Sequence, residues 1–276
     1  MIEREAGISF APTKGEEAKG VTIRRVIGGE RMAIFDPVML LDHASIASDS
    51  ETVGFPRHPH RGIETVSYVI SGEVGHKDSI GNDEIVGPGG TQWMTAGNGI
   101  WHEEMMKPGP EGAEMLQLWF SLPHAQKRIS PSYMGGPASQ VPEAEKASAV
   151  VRVVAGSFEG TQGLFAGIAV APTILDVTLH DNSTIEIPTD MGAATIAYEI
   201  RGSVTSRSHS VSAPMVLVYT DGDYVSFTAG AAGARIFFVS AKPLNEPILQ
   251  YRSFVMNSVE DILETTNMIH DGTFGN

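Results

Sequence analysis

FPRHPHRGIETVSYVISG, residues 55–72, and GGTQWMTAGNGIWHEEM, residues 89–105, decide the fold class and the place of its chemistry. Each run carries a pair of metal-ligating residue types one position apart, His58 and His60 in the first and His102 and Glu104 in the second. On a β-strand that spacing puts both members of a pair on one face. Two residues of strand cover roughly 6.6 Å and neighbouring strands lie about 4.8 Å apart, so two such pairs on adjacent strands form a small rectangle of four ligands around one ion. The same alternation separates two carboxylates, because Glu104 shares a face with His102 and Glu103 does not. Glu64 has the parity of the histidines, but an unbroken strand carries it about 13 Å beyond His60. It reads as a core-facing group able to orient a histidine ring. Pro59 lacks an N–H and suits a strand edge, while Gly97, Asn98 and Gly99 form a tight turn that aims His102 inward.

These segments, with FDPVMLLDHA (35–44), QLWFSLP (117–123) and EPILQYRSFVMNS (246–258), resemble the pirins, members of the cupin superfamily. The likeness runs over nearly the whole chain. The resemblance implies an all-β protein of two tandem cupin-type antiparallel β-barrels, jelly-roll-like, with a carboxy-terminal segment packed back on the body. It implies iron held by the two histidines of an HPH motif and by an H-x-E motif, which here are His58, His60, His102 and Glu104. Gly90, where the family often has an acidic residue, touches a turn and leaves the ligands intact.

The composition agrees with such a fold. In 276 residues, 42% are hydrophobic, with 30 glycines and 16 prolines, which suits many short strands and turns around a sizeable core. The formal charge of −14 repels phosphate backbones, so nucleic acid is not an expected partner. There is no cysteine, hence no thiolate metal site and no thiol switch. No run approaches the 18 uninterrupted apolar residues of a membrane span, and the amino terminus lacks a signal pattern. The expectation is a cytoplasmic protein without membrane contact.

Along the chain, residues 20–28, 63–70, 114–120, 150–154, 163–170 and 174–179 read as strands, and 32–42 as a buried apolar run. His43 reads as a hydrogen-bonded core residue rather than a ligand. His76, His180 and His209 lie in polar, turn-like stretches and read as surface residues. Trp93, Trp101 and Trp119 read as barrel packing, with Trp101 opposite in face to His102. TVSYVISGEV (65–74) lines up with TIAYEIRGSV (195–204) at an offset of 130 residues, and TAG recurs at 95–97 and 228–230, so the chain repeats one unit. The repeat places Pro188, Asp190, Arg235 and Phe237 at the ligand positions, and these make no metal site. The expected domains are a metal-binding barrel over 1–135, a linker over 136–147 and a metal-free barrel with a terminal helix over 148–276. That helix is announced by Ser258 three residues before Asp261, with apolar groups at 262, 263, 266 and 269.

Four protein ligands leave two positions of an octahedral ion open, which marks a catalytic rather than a structural site. Imidazole and carboxylate donors without sulfur suit Fe(II), and also Mn, Ni, Cu or Zn. The resemblance implies a quercetin 2,3-dioxygenase-like oxidoreductase taking a flavonol-like aromatic hydroxy-ketone and O2, with Glu104 as the catalytic proton acceptor. The alternative it implies is a non-enzymatic iron-containing regulator whose partner is a transcription factor or a metabolic enzyme.

Overall fold

The protein was analysed as a computed structural model, which describes residues 1–15, 18–29 and 35–275. It is built almost entirely of antiparallel strands, with one α-helix, Val259–His270, among the described residues. Part of the expected 32–42 run lies outside the described residues, and its remainder enters the strand Val38–Ile46. Residues 163–170 do not form the expected strand: they bend, and only Phe165 makes a bridge, to Ala155. Gly163 and Gly167 break that run, and a Cβ at Gly163 would press on the Ala155 backbone at 2.7 Å.

The chain divides into two compact units, and their boundaries differ from the expected 1–135 and 148–276. One unit comprises Met1–Thr13 and Val141–Pro243, the other Lys14–Gln140 and Leu244–Asn276. Hydrogen-bonded pairing between residues far apart in sequence overrides chain order: Ala6–Phe10 pairs with Met215–Tyr219. Within the expected linker, Glu143–Glu145 is itself a strand paired with Ala149–Ala155. The terminal helix belongs with residues 14–140, where Thr265 accepts a hydrogen bond from the buried Arg61 guanidinium at 2.8 Å.

The unit containing residues 14–140 is built on two main sheets rather than a closed barrel, with a third, two-stranded one formed by Leu249–Tyr251 and Phe254–Met256. Four strands lie in the order Val53–His60, Ile100–Lys107, Glu73–Asp78, Asp83–Val86. A seven-stranded sheet has Ile63–Ser71 and Ala113–Ser121 at its middle. Val69, Ala44 and Met115 of the large sheet meet Val74, Val86 and Met106 of the small one in a shared apolar core. This is the two-layer solution that lets each sheet hide one face.

The other unit has a nine-stranded sheet carried by the long strands Ala194–Ser206 and Tyr224–Ala241, and a two-stranded one of Ser157–Phe158 and Thr161–Gln162. Val151, Val177, Ile187, Phe227, Phe238 and Leu217 fill its interior. The internal repeat is visible in the backbone: Gly72 and Gly202, 130 residues apart, both turn with positive φ, 72° and 87°.

The helix is capped as expected, with the Ser258 hydroxyl accepting from the Asp261 N–H at 3.1 Å. Its inner face is Ile262 and Thr265, with Met268 and Ile269 packing beside them against Phe254 and Phe274. Leu263 turns outward, 56% exposed.

One buried carboxyl stands out in the second unit. Glu199 is 1% exposed, and burial raises its carboxyl from 4.5 to about 8, against a smaller lowering by the Val204 backbone. The folded pKa lies above the unfolded one, so this group's contribution to stability is complete below about pH 4.5 and is lost as pH rises through 8. Urea unfolding of wild type and Glu199→Gln at pH 5 and pH 9 tests this. The variant is expected to match wild type at pH 5 and exceed it at pH 9, and an unchanged difference between the two pH values would contradict the assignment.

Candidate metal centre

The strands Val53–His60 and Ile100–Lys107 are direct antiparallel neighbours, with His102 opposite His58 and Ile100 opposite His60. Alternation and pairing thus bring the three imidazoles together: His58 Nε2 lies 3.0 Å from His60 Nε2 and 3.0 Å from His102 Nε2. The expected turn precedes the second strand, with Gly99 N–H donating to Ala96 C=O at 2.9 Å.

The rings are fixed from behind. His58 Nδ1 donates to the Pro56 carbonyl at 2.8 Å and His60 Nδ1 to the Ser253 carbonyl at 3.2 Å. A carbonyl only accepts, so the proton sits on Nδ1 in both rings and both Nε2 lone pairs face the cluster. Trp119 packs edge-on against His60 at 4.9 Å.

Burial and then the neighbouring His58 lower His60 to about 3, and burial followed by His60, His58 and His76 lowers His102. Two lone pairs 3.0 Å apart with no hydrogen between them need a cation. Neighbouring ligands of a six-coordinate ion with metal–nitrogen bonds of about 2.1 Å are themselves about 3.0 Å apart. The donor set therefore fits a transition-metal ion.

Glu104 lines the cavity beside this cluster, on a ladder that is not regular. The ladder has a bulge between His102 and Glu104, where Pro56 and Arg57 together oppose Glu103 and position 104 comes opposite Phe55. Its carboxylate accepts from the Ser67 hydroxyl and, at 3.0 Å, from Gln117 Nε2. The Ser67 hydroxyl is also 2.6 Å from Gln117 Oε1. Glu64 faces elsewhere, accepting from Thr95 Oγ1 at 2.9 Å. The chain turns between His60 and Glu64 at Gly62, φ 76°, so the two lie in different sheets. His43 is a buried core residue whose Nε2 meets Glu114 at 3.2 Å.

His76 overturns its sequence reading. It is 2% exposed, on the strand Glu73–Asp78, directly opposite Glu104. The polar turn of this stretch is only residues 79–82, held by the Asp78 carboxylate accepting from the Ile80 and Asn82 N–H groups. Burial raises the Asp78 carboxyl, and the hydrogen bonds from Asn82 and His76 more than offset it, leaving a net lowering. Tyr133 stacks on His76 at 4.3 Å, and the His76 ring lies 5.3 Å from that of His102. Ser67, Gln117 and Ser253 were also missed. Gln117 alternates with Trp119 on one strand and could have been found by parity, but nothing local in the sequence brings Ser253 to His60.

Trp93 is packing, stacked on Phe120, whereas Trp101 lies on the outer side against Phe274. In the second unit, Arg235 pairs with Asp176 through two contacts of 3.0 and 2.8 Å. Its neighbours Ile236 and Phe238 join the apolar interior. His180 is exposed, and His209 is half-buried at the start of the strand His209–Ser212.

A cavity of about 580 Å³ opens beside the cluster, lined among others by His58, His60, Glu104, Gln117, Phe55 and Trp119. No helix among the described residues is long and apolar enough to cross a membrane.

Two family models match the chain, Pirin over residues 20–120 and Pirin C-terminal cupin domain over residues 174–275. A pirin-like protein of Arabidopsis thaliana is 36% identical over 262 residues, covering 90% of this chain and 83% of its own. The crystal structure of quercetin 2,3-dioxygenase from Acinetobacter baumannii superposes with a TM-score of 0.90 at 29% identity, covering 100% of this chain and 99% of that one. The bacterial pirin YhhW from Escherichia coli, in complex with nickel(II), shares the fold with a TM-score of 0.68 at 19% identity, over 86% of this chain and 100% of that one.

The geometry predicts close to one equivalent of a divalent transition metal per chain by elemental analysis. His58→Ala combined with His102→Ala is expected to abolish it, while Asp190→Ala leaves it unchanged. Full metal retention by the double variant would contradict this placement.

Proposed function

The chain belongs to the pirin family, and from that premise we propose that it is a metal-dependent dioxygenase that opens the central ring of flavonols such as quercetin with O2. The metal of this reading is Fe(II), with His58, His60, His102 and Glu104 as its ligands; nickel, manganese, copper and zinc suit the same donors. The observation that carries the reading is the convergence of three imidazole Nε2 atoms, with His58 and His60 lining a cavity that has aromatic walls. Support comes from the likeness to the Acinetobacter baumannii quercetin 2,3-dioxygenase. The E. coli pirin in complex with nickel(II) supports a metal in this fold.

When bound, the ion would supply Lewis-acid activation of a ring hydroxyl and a position for O2, worth several kcal/mol. The protein's own groups do the rest. Phe55, Leu40 and Trp119 give flat apolar walls that hold aromatic rings and exclude water. The carbonyls of Pro56 and Ser253 keep His58 and His60 in the tautomer whose Nε2 can ligate. Glu104, the cavity's carboxylate nearest in sequence to His102, accepts the proton that the flavonol hydroxyl loses. Ser67 and Gln117 steady that carboxylate and can share its hydrogen bonds as it takes up the proton.

Glu104→Gln keeps an oxygen donor of similar shape and removes charge and basicity. With Fe(II) loaded anaerobically and rates of oxygen uptake expressed per bound iron, the variant should lose turnover beyond its loss of iron, by on the order of 100-fold as for other general bases. Full per-iron activity would remove the proton-acceptor role, and no oxygen uptake by wild type with any flavonol would contradict the enzymatic reading.

A further inference from the structure

The charge around the cavity is uneven. Its lining carboxylates are Asp42 and Glu104, and its lining cations are Arg25, Arg57 and Arg252. Asp42 receives two hydrogen bonds from Arg25, at 3.0 and 2.7 Å, and Glu104 is held by Ser67 and Gln117. Arg57 and Arg252 are exposed and have no carboxylate partner among the described residues. Each lies instead against an aromatic face, Arg57 at 5.2 Å from the Trp101 ring centre and Arg252 at 5.6 Å from that of Tyr251.

A guanidinium stacked on a ring gives its face to the aromatic and keeps its N–H edge for an anion. Both are anchored to the frame of the metal centre, since Arg57 adjoins His58 and Arg252 adjoins Ser253, whose carbonyl holds His60. In a chain of net charge −14 the general field repels anions, so attraction at this mouth must be local. A volume of about 580 Å³ accommodates a three-ring aromatic with a further substituent.

Resting on the dioxygenase reading above, we propose that the substrate is an aromatic hydroxy-ketone bearing an oxyanionic substituent, a carboxylate or a sulfate. Arg57 and Arg252 hold that substituent while the reacting ring oxygen faces the imidazoles. The two arginines are therefore specificity-determining residues. A neutral flavonol is a surrogate that fills the aromatic part of the cavity and leaves the cationic mouth unused.

The test is equilibrium binding to the zinc-loaded protein, followed by the absorbance shift of the ligand, so that it is independent of turnover. The probes are quercetin, a quercetin carrying a B-ring sulfonate, and a flavonol carrying a B-ring carboxylate. At low salt at least one anionic probe should bind about tenfold more tightly than quercetin, and the preference should shrink as salt is added. Stronger binding of only one of them identifies the oxyanion. The Arg57→Gln, Arg252→Gln double variant, with its zinc content intact, should bind all three probes alike. Equal binding of the three probes by wild type, or a preference that survives in the double variant, overturns the inference. Oxygen uptake with quercetin but no anionic preference leaves the dioxygenase reading standing and removes only this one, whereas failure of every probe to bind removes both.

Discussion

The site depends on one pairing, His58 opposite His102 on two adjacent antiparallel strands. Period-two alternation then brings His60 to the same face, and three imidazole nitrogens meet. The pairing is held by features outside the two strands. Gly62, just beyond His60, has positive φ, and a Cβ there would lie 2.1 Å from the Val255 carbonyl oxygen. The chain end must therefore return to this spot, and it does so on specific bonds. The buried Lys127 ammonium donates to Gly62 C=O, Val255 C=O and Ser121 Oγ at 2.8–2.9 Å. Val255 N–H donates to Arg61 C=O, and the carbonyl of Ser253 accepts a hydrogen bond from His60 Nδ1. Residues 253–255 thus help set the orientation of a ligand almost two hundred positions earlier in the chain.

The two units show what a polar cluster displaces. Fully burying a Val, Ile or Phe side chain contributes about 1.5–3 kcal/mol, and the second unit fills its interior with such groups. The unit with the histidine cluster gives part of that space to histidines, Glu104, Ser67 and Gln117, which are costly to bury without partners. Here the carboxylate of Glu104 is held by Ser67 and Gln117, and His58 and His60 are held by the Pro56 and Ser253 carbonyls. Packing in this unit is completed by the small sheet and by the returning chain end.

Much of the architecture was legible because it rests on local rules. The strand pattern around 63–70 and 114–120, the Ser258 cap and the 130-residue repeat follow from alternation, side-chain hydrogen bonding and turn glycines. The histidine pairs were legible for the same reason. What was not legible depends on pairing between distant segments. Nothing in GHKDSIGND reveals that its first half is a strand paired on both edges with one face buried, which is why His76 reads as exposed. A bulge between His102 and Glu104 is invisible to a parity rule that assumes a continuous ladder. The compact units are bounded differently from the expected domains because the first strand and the last helix each join the unit from which they are distant in sequence.

X-ray absorption at the nickel edge of the nickel(II)-loaded protein tests the central claim most directly, because the multiple-scattering pattern counts imidazoles irrespective of activity. The account predicts nitrogen and oxygen donors at about 2.1 Å, with three imidazole rings among them. A spectrum requiring one imidazole or none would contradict it.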